Sequence, residues 1–303
     1  MKRQVNGILL LDKPQGPTSN EALQKVKRLF NAKKAGHTGS LDPIATGMLP
    51  ICFGEATKFS QFLLDSQKSY YVTARLGVTT NTGDSEGQEM AVKPVVDVTR
   101  SRIQEILSTF LGDSMQVPPM HSAIKYNGRP LYELARRNIE IERKARPITI
   151  YSITLDEFSS DQFSFSVHCS KGTYVRTLVE DVGAMLDCGA HVIGLRRLSV
   201  LPYGNAAMLT LPQLEEIAKN SGHDGLCTLL LPVETSVEIF PAVKLSTSAA
   251  FYLRMGQPVR SGFPVKSTLV RLFSDDERFL GVGEMMSDGR IKPHRLLSGR
   301  EVA

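Results

Sequence analysis

Between Gly36 and Gly47 the chain gathers three glycines, a proline, two threonines, a serine and a histidine around one carboxylate, Asp42. The glycines permit backbone shapes that other residues resist. Thr38, Ser40 and Thr46 add short hydrogen-bonding groups. Asp42 stands directly before Pro43, a position biased away from helix, which predicts an exposed turn. A carboxylate held there can act as a nucleophile or a base, and the same residues also suit an Asx turn. A second candidate is Arg176, within Lys171 to Thr177 between a predicted strand and a predicted helix. Its permanent charge and planar fork fit a carboxylate or a phosphate; an ordinary surface arginine is the plainer alternative. Tyr70 can stack on a base, reach a proton or simply fill a strand. His37 can enter a nucleic-acid stack or cap a turn.

The surrounding pattern predicts the elements that carry these groups. Gly7 to Leu11 is a short buried-strand pattern, ended by the turn Asp12 to Pro17. Thr18 and Glu21 have capping-box spacing, and Ala22, Leu23, Val26, Leu29 and Phe30 follow at helical intervals. Met48 to Phe53 and Tyr70 to Leu76 read as strands, and Glu55 to Leu64 as a helix. Ile103 to Leu111 and Leu178 to Leu186 show helical periodicity, whereas Phe163 to Cys169 alternates as a strand. Strands and helices mix without a βαβ rhythm, and neither standard glycine-rich phosphate loop is present, which predicts an α+β domain. A boundary is expected between Leu231 and Pro241. Beyond it, short apolar runs punctuated by glycine predict a small β-barrel of roughly 60 residues.

The chain has 303 residues, 42% of them hydrophobic, with a net charge of +5. That length and composition support a packed core and exclude global disorder. The charge is unevenly placed. Met1 to Gly36 carries eight basic side chains against two acidic ones, and His121 to Pro147 carries seven against three. Such clusters suit a polyphosphate partner or form solvated faces. The four cysteines form no C-x-x-C pair, which fits reduced thiols in a cytoplasmic protein without disulfides or structural zinc. No apolar stretch approaches the roughly 20 residues of a membrane span, and the N-terminus has no signal-peptide pattern.

The segment Gly36 to Pro50 resembles the catalytic motif of the TruB family of tRNA pseudouridine synthases. Leu11 to Ser19 resembles the family's Lys-Pro motif, Cys169 to Thr177 its third motif and Gly189 to Leu198 a fourth. All four occur in the family's order and approximate spacing. The resemblance implies a mixed, largely antiparallel sheet flanked by helices in residues 1–235, and a PUA-like RNA-binding barrel in 241–303. It implies that Asp42 is the catalytic aspartate and that Arg176 pairs with it. His37 falls on the residue that contacts RNA near a flipped-out uridine, and Tyr70 on the tyrosine that stacks on the target base. Tyr174 and Leu195 fall on pocket residues. Residues 118–146 fall on a basic insertion that closes over the RNA.

The implied reaction isomerises one uridine, position 55 in the T-loop of tRNA. Breaking N1–C1′ and rejoining through C5 changes no oxidation state, so no cofactor or metal is expected. Tyr70 is a candidate for the proton transfer at C5. The implied partner is the T-stem-loop, bound by a monomer. Two alternatives remain at this stage: an RNA chaperone that folds the T-arm without chemistry, and a glycosylase that releases uracil.

Overall fold

The computed structural model describes residues 1–260 and 267–298. The remainder of the expected 241–303 unit lies outside the described residues. β1 (Gly7–Lys13) is apolar on both faces because both are covered: Leu9 and Leu11 enter the main core, Ile8 and Leu10 a second cluster behind it. α1 (Ser19–Leu29) starts at a complete Thr18–Glu21 capping box, and Ala22, Leu23 and Val26 face the main core. β2 (Ala35–His37) and β3 (Thr46–Phe53) flank the glycine-rich loop and pair antiparallel.

The predicted helix from Glu55 to Leu64 is instead broken. A 3-10 turn, Gly54–Lys58, is followed by the short α2 (Ser60–Leu64). The apolar residues serve two directions: Ala56 and Leu63 pack beneath the large sheet, whereas Phe59 and Phe62 pack against the C-terminal unit.

β4 (Lys68–Leu76) continues into β5 (Val78–Thr80), which pairs with β6 (Glu89–Val92). α3 (Arg100–Ser108) is shorter than predicted and leaves Leu111 beyond its end and half exposed. β7 (Gly112–Gln116) precedes the basic insertion, which holds a hairpin, β8 (Lys125–Tyr126) and β9 (Arg129–Pro130), and α4 (Leu131–Ala135). β10 (Arg146–Phe158), β11 (Gln162–Cys169), α5 (Val175–Met185), β12 (Ala190–Val200), β13 (Leu209–Thr210) and α6 (Leu211–Cys227) complete the unit.

Eight of the strands line up in the order β13-β1-β3-β12-β4-β11-β10-β7, with β2 added beside β3. Neighbours are antiparallel except β1 with β13 and β3 with β12. β12 therefore lies between the strand that leaves the glycine-rich loop and the strand that carries Tyr70.

The C-terminal unit contains β14 (Ala242–Lys244), α7 (Thr247–Arg254), β15 (Val259–Arg260), β16 (Leu269–Phe273), β17 (Phe279–Met285) and β18 (Arg290–Leu296). The five strands among its described residues form a half-barrel in the order β14-β16-β17-β18-β15. It has its own small core around Leu253, Val270 and Leu272. An aromatic seam joins it to the large unit: Phe59 lies 5.6 Å from Phe279 and Phe62 lies 5.4 Å from Phe240, ring centre to ring centre. Among the described residues no helix is long and apolar enough to cross a membrane.

Candidate active site

Asp42 sits at a turn in the loop between β2 and β3, where its carbonyl accepts from Ala45 N at 3.0 Å. Two glycines hold the loop's shape. Gly39 and Gly47 have φ of 104° and 99°, in the region that disfavours side chains. A Cβ on Gly47 would lie 2.2 Å from the carbonyl oxygen of Arg197, so β3 and β12 approach more closely than any side chain allows. Gly36 has an ordinary strand conformation and needs no glycine for its φ.

Beneath the loop, Lys13 is fully buried. Its ammonium donates to the carbonyls of Ala45 at 2.7 Å, Pro14 at 3.0 Å, and Asp42 and Pro43 at 3.3 Å. Burial lowers its pKa to about 8, partly opposed by the attraction of Asp42. The sequence places Lys13 among the cations of a basic N-terminal segment. The fold instead uses it as an internal tie, inaccessible to any RNA backbone.

Arg176 lies in the first turn of α5 with a side chain only 6% exposed. Its Nε is 2.9 Å from Asp42 Oδ2, and Nη2 donates to Asp42 Oδ1 at 3.4 Å. Nη1 donates to Asp84 Oδ2 at 3.4 Å and to the Thr82 carbonyl at 2.7 Å. Nη2 also donates to the His121 carbonyl at 2.7 Å. The guanidinium thus binds the candidate catalytic carboxylate, a second, buried carboxylate and the root of the insertion. Desolvation raises the Asp42 pKa above the ordinary carboxylate value, and Asp84 adds to the rise. Arg176, Lys13 and His121 oppose it without cancelling it. Pairing with arginine therefore limits the shift, and burial decides its sign.

Tyr70 is buried on β4, opposite Arg197 of β12 and Val167 of β11, and its phenol lies in the field of the Arg197 guanidinium. Burial raises its pKa. Its neighbour Tyr71 points to the other face, so the strand alternation separates the two adjacent tyrosines. His37 lies on β2, not at a turn. Its Nδ1 is buried without a partner, and burial together with the Arg197 charge lowers its pKa, so the ring is neutral at pH 7. Tyr174 is the residue that precedes α5; the Gln116 amide brackets its backbone, donating to its carbonyl at 3.1 Å and accepting from its N–H at 2.8 Å. Its ring reaches Ser122 of the insertion, although no well-aligned hydrogen bond forms there. Leu195, opposite Val72 on β12, packs half-buried against the main core.

Among the described residues no three His, Cys, Asp or Glu side chains gather as metal ligands would. The four cysteines are free, and burial pushes Cys52 up to about 12 and Cys169 up to about 11.

Residues 27–175 match the TruB family pseudouridylate synthase N-terminal domain. Residues 176–238 match the tRNA pseudouridylate synthase B C-terminal domain, and 241–297 the pseudouridine synthase II TruB C-terminal region. A protein of Coxiella burnetii (strain Dugway 5J108-111) named tRNA pseudouridine synthase B is 54% identical over 299 residues, covering 99% of this chain and 97% of its own. The chain belongs to the TruB family of pseudouridine synthases. A Tolumonas auensis relative of the same name is also 54% identical, over 97% of this chain and 93% of its own. Among solved structures, a Cbf5-Nop10-Gar1 complex contains a chain with a TM-score of 0.74 and 27% identity, covering 96% of this chain and 83% of that one. An H/ACA RNP bound to a substrate RNA containing 2′-deoxyuridine gives 0.75 and 25%, over 97% and 86%. As a pseudouridine synthase, the TruB-family enzyme described here is an isomerase.

Three residues of this TruB-family site escaped the sequence. Asp84 lies in Asn81-Thr82-Gly83-Asp84, which reads as an ordinary turn. Lys13 carries a visible Lys-Pro signature but gives no sign of burial. Arg197 sits beside Arg196 in what reads as a solvated basic pair, yet Arg196 pairs bidentately with Asp12 at 2.8 and 2.9 Å while Arg197 is buried.

Proposed function

We propose that this chain converts uridine 55 in the T-loop of tRNA to pseudouridine, with Asp42 as the catalytic carboxylate. The observation that carries this reading is the Asp42–Arg176 pair at 2.9 Å on a glycine-shaped loop, joined by Arg176 to the root of a basic insertion. The tRNA substrate is supported by the name shared by the relatives of Coxiella burnetii and Tolumonas auensis.

The target base must first leave its stack, at a cost of a few kcal/mol. The exposed cations of the insertion, among them Lys125, Arg129, Arg137 and Lys144, suit the phosphates that flank it. His37, neutral and unpartnered at Nδ1, has the shape and polarity to fill the gap left in the loop. Tyr70 faces the extruded base, with Tyr174 and Leu195 as pocket walls. The Asp42 carboxylate, steadied by Arg176, opposes the positive charge that develops at C1′ as the N1–C1′ bond breaks. The ring turns, C5 bonds to C1′, and the proton on C5 is removed. One hydrogen moves from C5 to N1 overall, and Tyr70 is the group that carries it. The C-terminal half-barrel serves as an accessory RNA-binding surface. The enzyme acts as a monomer in the cytoplasm, where its tRNA is.

The test is to incubate the protein with unmodified tRNA and with an isolated T-stem-loop, then to map pseudouridine chemically. Modification of both at one uridine is expected. Release of free uracil, or RNA binding without modification, would replace this reading with a glycosylase or a chaperone.

A further inference from the structure

Arg197 occupies the middle of β12, in register with Gly47 of β3 on one side and Tyr70 of β4 on the other. It is 1% exposed. Its Nε donates to the Met48 carbonyl at 2.7 Å and its Nη2 to the Gly39 carbonyl at 3.1 Å, one at each end of the glycine-rich loop. At these paired positions the guanidinium and the phenol of Tyr70 share one face of the sheet, and each acts on the charge of the other. Arg176 meets two carboxylates, whereas among the described residues no carboxylate lies within ion-pair distance of Arg197. An unpaired buried cation is costly, and neutral carbonyls offset only part of that cost. Among the described residues, the group set opposite Arg197 in the sheet that can turn negative is Tyr70.

We infer that Arg197 is the positioning residue that lets Tyr70 carry a proton as a phenol–phenolate pair. The inference rests on the reading of Tyr70 as the proton carrier. A guanidinium has donors only, so toward Arg197 the Tyr70 oxygen can act only as an acceptor. No protein acceptor among the described residues takes the Tyr70 O–H, which leaves that proton free to be aimed at a bound base. The isomerisation needs such a group twice. When the N1–C1′ bond breaks, its electron pair stays on N1, and the phenol proton moves to the released uracil at N1. Tyr70 is then a phenolate against the Arg197 guanidinium. After C5 bonds to C1′, the C5–H pair returns to the ring and the proton passes to the phenolate. The phenol is regenerated, and N1–H has replaced C5–H with no other reactant consumed. Arg197 matters in the interval when the phenol has given up its proton.

The other ionisable groups that face this pair are Lys13, Lys68, His37, Cys169 and Asp42. The two lysines are tied to backbone carbonyls, as in Lys68 Nζ to Ser66 O at 2.7 Å and Lys13 Nζ to Ala45 O at 2.7 Å. The thiol and the neutral imidazole bring no cation that could take the place of Arg197. Asp42 opposes a phenolate, and it is nearer to Arg176.

The test compares Tyr70→Phe, Arg197→Gln and the double variant in single-turnover assays at saturating T-stem-loop. The Arg197→Gln variant should lose about a hundredfold in rate or more with RNA affinity within threefold, and the double variant should be no slower than Tyr70→Phe. Installing the more acidic 3,5-difluorotyrosine at position 70 should restore at least tenfold of the rate lost in Arg197→Gln. A merely structural arginine would give additive losses and no such rescue, and either result overturns the inference. If Arg197→Gln does not fold, Arg197→Lys carries the same comparison, and the same two results decide it. A Tyr70→Phe variant with full activity removes the proton-carrier reading itself. Slow Tyr70→Phe with additive Arg197 losses removes Arg197 alone.

Discussion

The floor of the site and the insertion above it are both rich in cations, and they use them in opposite ways. In the floor, Lys13, Arg176 and Arg197 are buried, and each is bonded to backbone carbonyls or carboxylates. In the insertion, Lys125, Arg129, Arg136, Arg137 and Lys144 are exposed. Arg136 does no more than lie over the Tyr132 ring at 5.5 Å, and Arg143 alone folds back, onto the Pro118 carbonyl at 3.2 Å. Similar charge counts therefore hide two roles: the floor fixes geometry, and the insertion offers charge to a partner.

Substitutions in the floor should act on rate and stability, and those in the insertion on affinity. The largest expected effect is that of Asp42→Asn, which should bring pseudouridine formation below one percent of wild type while RNA affinity stays within about tenfold, since many phosphate contacts survive. Tritium release from 5-labelled uridine and filter binding measure the two. Next, Arg176→Lys keeps the charge but loses the fork that holds Asp42, Asp84 and the insertion root together; a rate loss of about a hundredfold in single turnover is expected. Near wild-type rates would mean that the pairing is only structural. Lys13→Met removes a donor from four carbonyls, of which those of Asp42 and Pro43 keep a backbone N–H, and should destabilise the fold by about 2–4 kcal/mol in urea melts. An unchanged midpoint would break the assignment of Lys13 to the floor. In the insertion, Arg137→Ala with Lys144→Ala should weaken binding severalfold and flatten its salt dependence by about one to two counterions, without changing the rate at saturation. A fall in saturated rate instead would merge the two regions.

The smallest expected effect is a pH signature. The Asp42 pKa is raised in the fold, so folding favours the protonated carboxyl more than the unfolded chain does. Its contribution to stability is complete below the ordinary aspartate pKa and is lost as pH rises through the elevated value. Asp42→Asn should therefore melt slightly above wild type at pH 7, and the difference should vanish in acid. A variant that melts lower at pH 7 would show that the Arg176 attraction outweighs burial.

Much of this was legible in the sequence because local chemistry and global fold agree. The Thr18–Glu21 capping box, the doubly apolar run of β1 and the glycine-rich loop each announce themselves within a dozen residues. What stayed hidden depends on partners distant in sequence. Asp84 gains its role from Arg176, 92 residues away. Whether Arg196 or Arg197 is the buried one depends on register, because one step along a strand exchanges its faces. The burial of Phe59 is equally non-local, since it packs on an aromatic ring more than 170 residues downstream.

That seam has a practical corollary for handling the protein. Phe59 and Phe62 are roofed by Phe240 and Phe279, and the Ser298 N–H is clasped by Glu55 at 2.6 Å. Cutting the chain at Pro241 would strip this roof and leave a sticky aromatic scar beside the 3-10 turn, inviting aggregation. The half-barrel is better regarded as a fused limb than as a detachable cassette, and its share in gripping RNA is better probed by surface substitutions than by amputation.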